Sequence, residues 1–141
     1  VISIAKAMMN TELGFSRKVL SAFEQYGVSV EHLPTGIDTM CVVVAGDAFS
    51  HVKDKIINRI VATTNPDTIT VHDNMSIIAT VGRGMVHNCG TAAKLFGAMS
   101  KAGINVRMID QGSSELSIIV GVDDSDYAET IKAIYGVFVN Q

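Results

Sequence analysis

Apolar and polar residues alternate over Val1-Ile2-Ser3-Ile4-Ala5, and that period of two predicts a short strand. Met8 to Gly14 reads as the loop that follows it. From Phe15 to Tyr26 the period becomes helical. Phe15, Val19, Ala22, Phe23 and Tyr26 share one face, while Arg17, Lys18, Glu24 and Gln25 take the other. Gly27 stands where a helix ends in left-handed backbone. Two further apolar runs, Val28 to Leu33 and Thr39 to Val44, flank the turn cluster Pro34-Thr35-Gly36-Ile37-Asp38, which predicts a hairpin. A second helix is predicted over Phe49 to Ala62, capped by Asp47 or Ser50, with Val52, Ile56, Ile57 and Ile60 inward. Asn65-Pro66-Asp67 breaks the chain, and Thr68 to Val71 is a closing strand. The order is βαββαβ.

The same pattern then recurs. Gly103 to Val122, GINVRMIDQGSSELSIIVGV, lies over Gly27 to Gly46, GVSVEHLPTGIDTMCVVVAG, without a gap at an offset of 76. The register extends backwards through Ala22 and Ala98, Lys18 and Lys94, Gly14 and Gly90, Met9 and Met85, Ile2 and Ile78. A constant offset over this span indicates duplication. The second copy predicts a strand over Met75 to Val81, a loop over Gly82 to Asn88, and a helix over Cys89 to Ala102 with Asn88 as its N-cap. A hairpin follows, with alternation at Ile104, Val106 and Met108 and again at Leu116, Ile118 and Val120. Tyr127 to Val139 is its last helix. The nearly continuous apolar run Ser117 to Val120 predicts a central strand covered on one face by helices. The chain therefore divides into residues 1–72 and 73–141, joined at His72-Asp73-Asn74, the second module one strand short. The βαββαβ order describes an α+β, ferredoxin-like antiparallel sheet with two helices on one face. That fold hosts many activities, so function has to be argued from the site.

Composition narrows the classes. The chain has 141 residues, 48% of them hydrophobic, and a net charge of −3. An acidic chain without a basic run does not suit a phosphate-backbone partner. The predicted central strands offer Val, Ile, Met, Cys and Ser but no aromatic residue on which bases could stack, so an RNA-recognition module of the same strand order is disfavoured. Cys41 and Cys89 have neither CxxC nor paired-His spacing. Free thiols with seven methionines suit a reducing cytoplasm. His32, His51, His72 and His87 are dispersed without ligand spacing, so no metal is expected. No apolar run reaches membrane-spanning length and no signal peptide opens the chain. Because Val1 already lies inside an alternating strand, a longer parent polypeptide is expected.

Several motifs together carry a family resemblance. They are Val81-Gly82-Arg83-Gly84-Met85, Gly90-Thr91-Ala92-Ala93 with Phe96, Gly103-Ile104-Asn105-Val106, and Gln111-Gly112-Ser113-Ser114-Glu115 before a strand. In this order and spacing they resemble the second ACT domain of aspartate kinases. The first module, with Met9-Asn10-Thr11, Gly14-Phe15-Ser16-Arg17 and Gly36-Ile37-Asp38, resembles the first ACT domain of the lysine-sensitive branch. The resemblance implies the tandem regulatory region of a monofunctional aspartate kinase. The chain itself would hold no catalytic residue and no cofactor. ATP and Mg²⁺ would be used by a separate catalytic domain of the same polypeptide, whose Lys-Phe-Gly-Gly-type loop has no match here. The family also implies that the missing strand lies upstream of Val1 and that ACT domains pair between subunits; the thiol content adds the expectation of a cytoplasmic protein.

The effector implied is lysine, with threonine, or lysine and threonine together, as the alternative. An amino-acid ligand needs backbone N–H groups for its carboxylate, which a helix start provides. Lysine also needs an acceptor for its distal ammonium. Carried over from the family pattern, the pocket comprises Met9, Gly14, Phe15, Ser16, Ser29, Val30, Glu31, Thr35, Ile37 and Asp38. Glu31 and Asp38 are the two acids available to the ammonium. At the equivalent positions the second module has Arg107 and Ser114, so lysine is expected in the first. Gly82-Arg83-Gly84 also resembles the phosphate loop of acylphosphatases, which share the fold, but no nucleophile or acid–base pair accompanies it.

Overall fold

Ile2 and Ile4 point to one side of the first strand, β1 (Ile2–Ala5), and both are fully buried. Their alternation with half-buried Ser3 and Ala5 sets the first unit's core. The computed structural model describes residues 1–85, 87–114 and 116–139. Its two compact units are Val1–Asp73 and a second from Asn74 onward. Each is α+β, with helices packed on one face of an antiparallel sheet, as the strand and helix order predicts.

In the first unit β1 is followed by α1 (Phe15–Gln25), β2 (Val30–His32), β3 (Thr39–Val44), α2 (Gly46–Ser50), α3 (Lys53–Thr64) and β4 (Thr68–Val71). The sheet order is β2-β3-β1-β4. Ile2 pairs with Val42 and Val71, and Ile4 with Met40 and Ile69, so the apolar residues of neighbouring strands share one face. Val19, Ala22 and Phe23 of α1 and Ile56 and Ile60 of α3 cover that face. Phe49 of α2 stacks on Phe23 with centroids 6.3 Å apart.

The second unit contains β5 (Met75–Val81), α4 (Thr91–Lys101), β6 (Met108–Asp110), β7 (Ser117–Asp123) and α5 (Tyr127–Val139). The order β5-β7-β6 makes β7 central. Ile118, Val120 and Val122 of β7 meet Leu95 and Met99 of α4 and Ile134 of α5. The sequence repeat is also a structural one. Gly14 and Gly90 enter α1 and α4 at φ +76° and +89°, and Gly27 and Gly103 follow those helices at +70°. In both, the next amide reaches back to close the helix, Val28 to the Phe23 carbonyl and Ile104 to that of Met99.

Four local expectations need correction. The helix predicted over Phe49 to Ala62 is two helices, because Val52 leaves helical backbone at φ −124°. Neither Asp47 nor Ser50 caps α2 or α3: Asp47 accepts from the Ala48 amide and Ser50 donates to the Asp47 carbonyl. Asn88 is not the N-cap of α4. Gly90 takes that position, and the Asn88 carbonyl accepts from the Thr91 hydroxyl. The alternation of Ile104 and Val106 reflects burial rather than pairing, since β6 begins only at Met108. Pairing of β6 with β7 puts Met108 opposite Gly121, so close that a Cβ on Gly121 would lie 2.8 Å from that of Met108. Glu115 of the serine-rich turn lies outside the described residues.

One difference between the units follows from the strand count. In the first, β4 pairs with β1. Among the described residues nothing pairs with the corresponding edge of β5. A groove of about 490 Å³ runs there between Ile77–Val81 and the α5 side chains Tyr127, Ile131, Tyr135 and Phe138.

Candidate functional site

Between β1 and α1 the chain makes a compact loop whose shape is fixed by hydrogen bonds from both sides. The Lys6 amide donates to the Asp38 carbonyl (3.0 Å), the Ala7 amide to Asp67 Oδ2 (2.7 Å) and the Met8 amide to Asp38 Oδ1 (3.1 Å). Met8 is left-handed at φ 60°, and Met9–Thr11 then form a 3-10 turn. Gly14 turns the chain into α1 without a side-chain cap; the Phe15 amide donates to the Glu12 carbonyl at 3.3 Å, which leaves the next amides of the first turn for a ligand.

The β2–β3 turn faces this loop. Thr35 bridges to Met40, the Gly36 amide donates to the Thr39 carbonyl at 2.8 Å, and the Cys41 amide to that of Pro34 at 2.8 Å. A Cβ at Gly36 would sit 2.8 Å from Thr39 Oγ1, so a side chain there would oblige Thr39 to turn away. Between loop, helix start and turn lies a cavity of about 300 Å³, lined by Met9, Asn10, Glu12, Gly14, Phe15, Ser16, Arg17, Thr35, Gly36 and Ile37. The volume suits a free amino acid.

Of the residues expected in the pocket, Met9, Gly14, Phe15, Ser16, Thr35 and Ile37 line this cavity. The other four stand elsewhere. Ser29 is exposed just before β2, and Val30 packs against the core. Glu31 is exposed on the edge strand β2, and the Asp38 carboxylate is taken up by the Met8 amide. Asn10, Glu12, Arg17 and Gly36 are added. Glu12 stands midway between Lys6 and Lys18 in sequence, a plus–minus–plus spacing that could have singled it out.

Glu12 is the charge centre of the site. Its Oε2 accepts from Lys6 Nζ at 2.5 Å and its Oε1 from Lys18 Nζ at 3.3 Å. Lys6 also donates to the Thr64 carbonyl at 2.6 Å and lies 5.9 Å over the Phe15 ring. The hydrogen bond from Lys6, with that from Lys18, holds the Glu12 carboxyl below its ordinary range against some desolvation. Arg17 is the cavity's one cationic lining residue. An arginine beside open helix amides can hold a carboxylate, and Glu12 can hold a cation.

The corresponding place in the second unit differs chemically. Asn88 stands for Glu12, Gly82 for Lys6 and Ala93 for Arg17. Arg107, at the position of Glu31, pairs with Asp123 at 2.6 Å. The β5–α5 groove is larger than the loop cavity but, among the described residues, is lined by none that is charged, so it suits packing rather than a zwitterion. Among the described residues no group of His, Cys, Asp and Glu is placed to hold a metal ion, and no helix is long and apolar enough to cross a membrane.

Comparison with known proteins adds a family. Residues 78–138 match the ACT domain model. Aspartokinase 3 of Bacillus subtilis is 37% identical over 138 residues, covering 97% of this chain and 30% of that protein. The crystal structure of Clostridium acetobutylicum aspartate kinase superposes with a TM-score of 0.93 at 48% identity, over 99% of this chain and 32% of that one. Escherichia coli aspartokinase III in complex with lysine and aspartate shares the fold, with a TM-score of 0.72 at 17% identity over 97% of this chain and 30% of that one. The chain thus spans about a third of these relatives.

Proposed function

The chain belongs to the ACT-domain regulatory regions of the aspartokinases, and from that we propose that it senses free lysine and transmits feedback inhibition to an aspartate kinase catalytic domain. The observation that carries the reading is the cavity at the β1–α1 loop. It joins an open helix start and Arg17 for a carboxylate to Glu12 for an ammonium, with Met9, Phe15 and Ile37 for an aliphatic stem. The Escherichia coli structure of the same fold was obtained with lysine. In the parent enzyme the reaction would be transfer of a phosphoryl group from ATP, with Mg²⁺, to the side-chain carboxylate of aspartate. Lysine would act by binding one arrangement of the enzyme better than another, which is all that feedback inhibition requires thermodynamically.

Calorimetry of this chain against lysine, threonine and methionine tests the effector. Lysine is expected to bind with a stoichiometry of one per chain and methionine not to bind measurably. Saturable binding of threonine with none of lysine would replace lysine as the effector.

We further propose that the region self-associates through its ACT domains in the cytoplasm. Ile37 of the cavity lining and Met8 and Leu13 of the adjoining loop are 71%, 67% and 94% exposed, apolar surface that water disfavours. The β5 edge offers unpaired backbone groups as well. Sedimentation at micromolar concentration is expected to give at least twice the 15.0 kDa of one chain. A monomer under those conditions contradicts self-association.

A further inference from the structure

We infer that Glu12 is the residue that makes the first-unit cavity selective for a ligand with a distal cation, and that it does so by exchanging Lys18 for the ligand's ammonium. The inference rests on the effector reading above and gives Glu12 the role for which the sequence alone offers Glu31 and Asp38.

The two earlier candidates are badly placed for the task. Glu31 is exposed on β2 and is not among the residues lining the cavity. Asp38 is not among them either, and its carboxylate already accepts the Met8 amide. Among the described residues Glu12 is the one acid lining the cavity, and its side chain is 27% exposed. Its two lysine partners are not equivalent. Lys6 makes the 2.5 Å contact and is tied in addition to the Thr64 carbonyl and the Phe15 ring, so it stays where it is. Lys18 makes the 3.3 Å contact, and a third of its side-chain surface is open to water. No other side-chain hydrogen bond of Lys18 accompanies that contact among those described. Swinging Lys18 into solvent therefore sacrifices one weak, partly hydrated ion pair. A ligand ammonium takes the Oε1 position with a charge-assisted hydrogen bond in its place.

The exchange explains how a site with three nearby cations, Lys6, Arg17 and Lys18, can accept a cationic ligand. The incoming charge replaces one already present, so local charge does not rise. The duplication supports the assignment. Lys18 has its counterpart in Lys94, but Glu12 and Lys6 have none, since Asn88 and Gly82 stand there. The ion-pair centre belongs to the first unit.

The test compares lysine with norleucine, which keeps the methylene stem and lacks the ammonium, by calorimetry of the unaltered chain and three variants. Glu12→Gln is expected to weaken lysine about tenfold to a hundredfold and to leave norleucine within about twofold. Lys18→Met is expected to tighten lysine by up to about fivefold, again sparing norleucine, because the internal competitor is gone. Thermal unfolding of each variant shows that it folds, and Glu12→Asp, which keeps the charge, should retain most of the discrimination. The inference is overturned if Glu12→Gln weakens both ligands equally, or if Lys18→Met weakens lysine. It is overturned too if Glu31→Gln removes the preference for lysine while Glu12→Gln does not. If the unaltered chain binds neither ligand, the effector reading itself fails and this inference falls with it. Binding of both with equal affinity overturns this inference alone.

Discussion

Replacing Phe15 by alanine will destabilise the chain by about 3–5 kcal/mol and, on the proposed function, remove effector binding from the first unit. Phe15 is 3% exposed although it opens α1, next to the loop. One side of its ring belongs to the core with Val19 and Phe23, and the residue also lines the cavity. Truncation leaves a void in the core and takes the platform from under Lys6, whose ammonium lies over the ring. Neighbouring Leu13 provides the contrast. It is just as apolar but 94% exposed, so Leu13→Ala should shift stability by no more than about 0.5 kcal/mol. Urea unfolding of the two variants measures the difference. Equal effects would mean that Phe15 is not a core residue.

In the second unit the largest effect is expected at Gly121, where valine should cost more than about 3 kcal/mol and detach β6. Opposed residues of antiparallel strands normally hold their Cβ atoms about 4.5–5.5 Å apart. At Gly121 a Cβ would lie 2.8 Å from Met108 Cβ, 3.2 Å from Met75 Cε and 3.4 Å from Ile77 Cδ1. The methionine tip can move, but the Met108 Cβ is fixed to the backbone, so β6 has to shift as a whole. Gly136 of α5 has no such neighbour within 4 Å, and Gly136→Ala should stabilise the helix by up to about 1 kcal/mol. Two glycine substitutions of opposite sign in one unit are read from urea midpoints. Their agreement in sign would contradict the packing described at Gly121.

How much of this was legible in the sequence varies with the physics of each feature. Alternation at Ile2 and Ile4 and the helical spacing of Phe15, Val19 and Phe23 report burial directly, and burial decides strand and helix here. The offset of 76 carried the helix-entry and helix-stop glycines with it, because left-handed backbone restricts what can replace them. β6 misled for an instructive reason. Ile104 and Val106 pack inward without pairing, so their alternation records a wall of the core and not a ladder. The split at Val52 was hidden because its neighbours Phe49 and Ile56 are both inward, whichever helix holds them.

For the site, the division falls between shape and charge. The residues that shape the cavity, Gly14, Phe15, Thr35 and Ile37, belong to local motifs and could be named in advance. The spacing of Lys6, Glu12 and Lys18 marks Glu12 as a charge centre, but which acid faces the cavity depends on a fold-back of the loop. That fold-back is set by bonds from Asp38 and from Asp67, 60 residues beyond Ala7. Asp38 was recognised as important and serves the loop's backbone rather than lying on the cavity wall.

Those two aspartates also bear on the entropy of binding. The nine-residue loop from Lys6 to Gly14, if free to wander, would lose roughly 1–2 kcal/mol per residue on closing around a ligand, enough to cancel most of what a small amino acid can gain. Here the backbone from Lys6 to Met8 is held before any ligand arrives, by a strand turn on one side and the approach to β4 on the other. The segment that lines the cavity from Met9 onward is thus anchored at its start, which lowers the ordering that the proposed effector would have to impose. For the proposed effector, part of the affinity is thereby set at Asp38 and Asp67, positions that are not among those lining the cavity. Sequence drift at either one could retune the concentration at which the region responds while every residue lining the cavity stays the same.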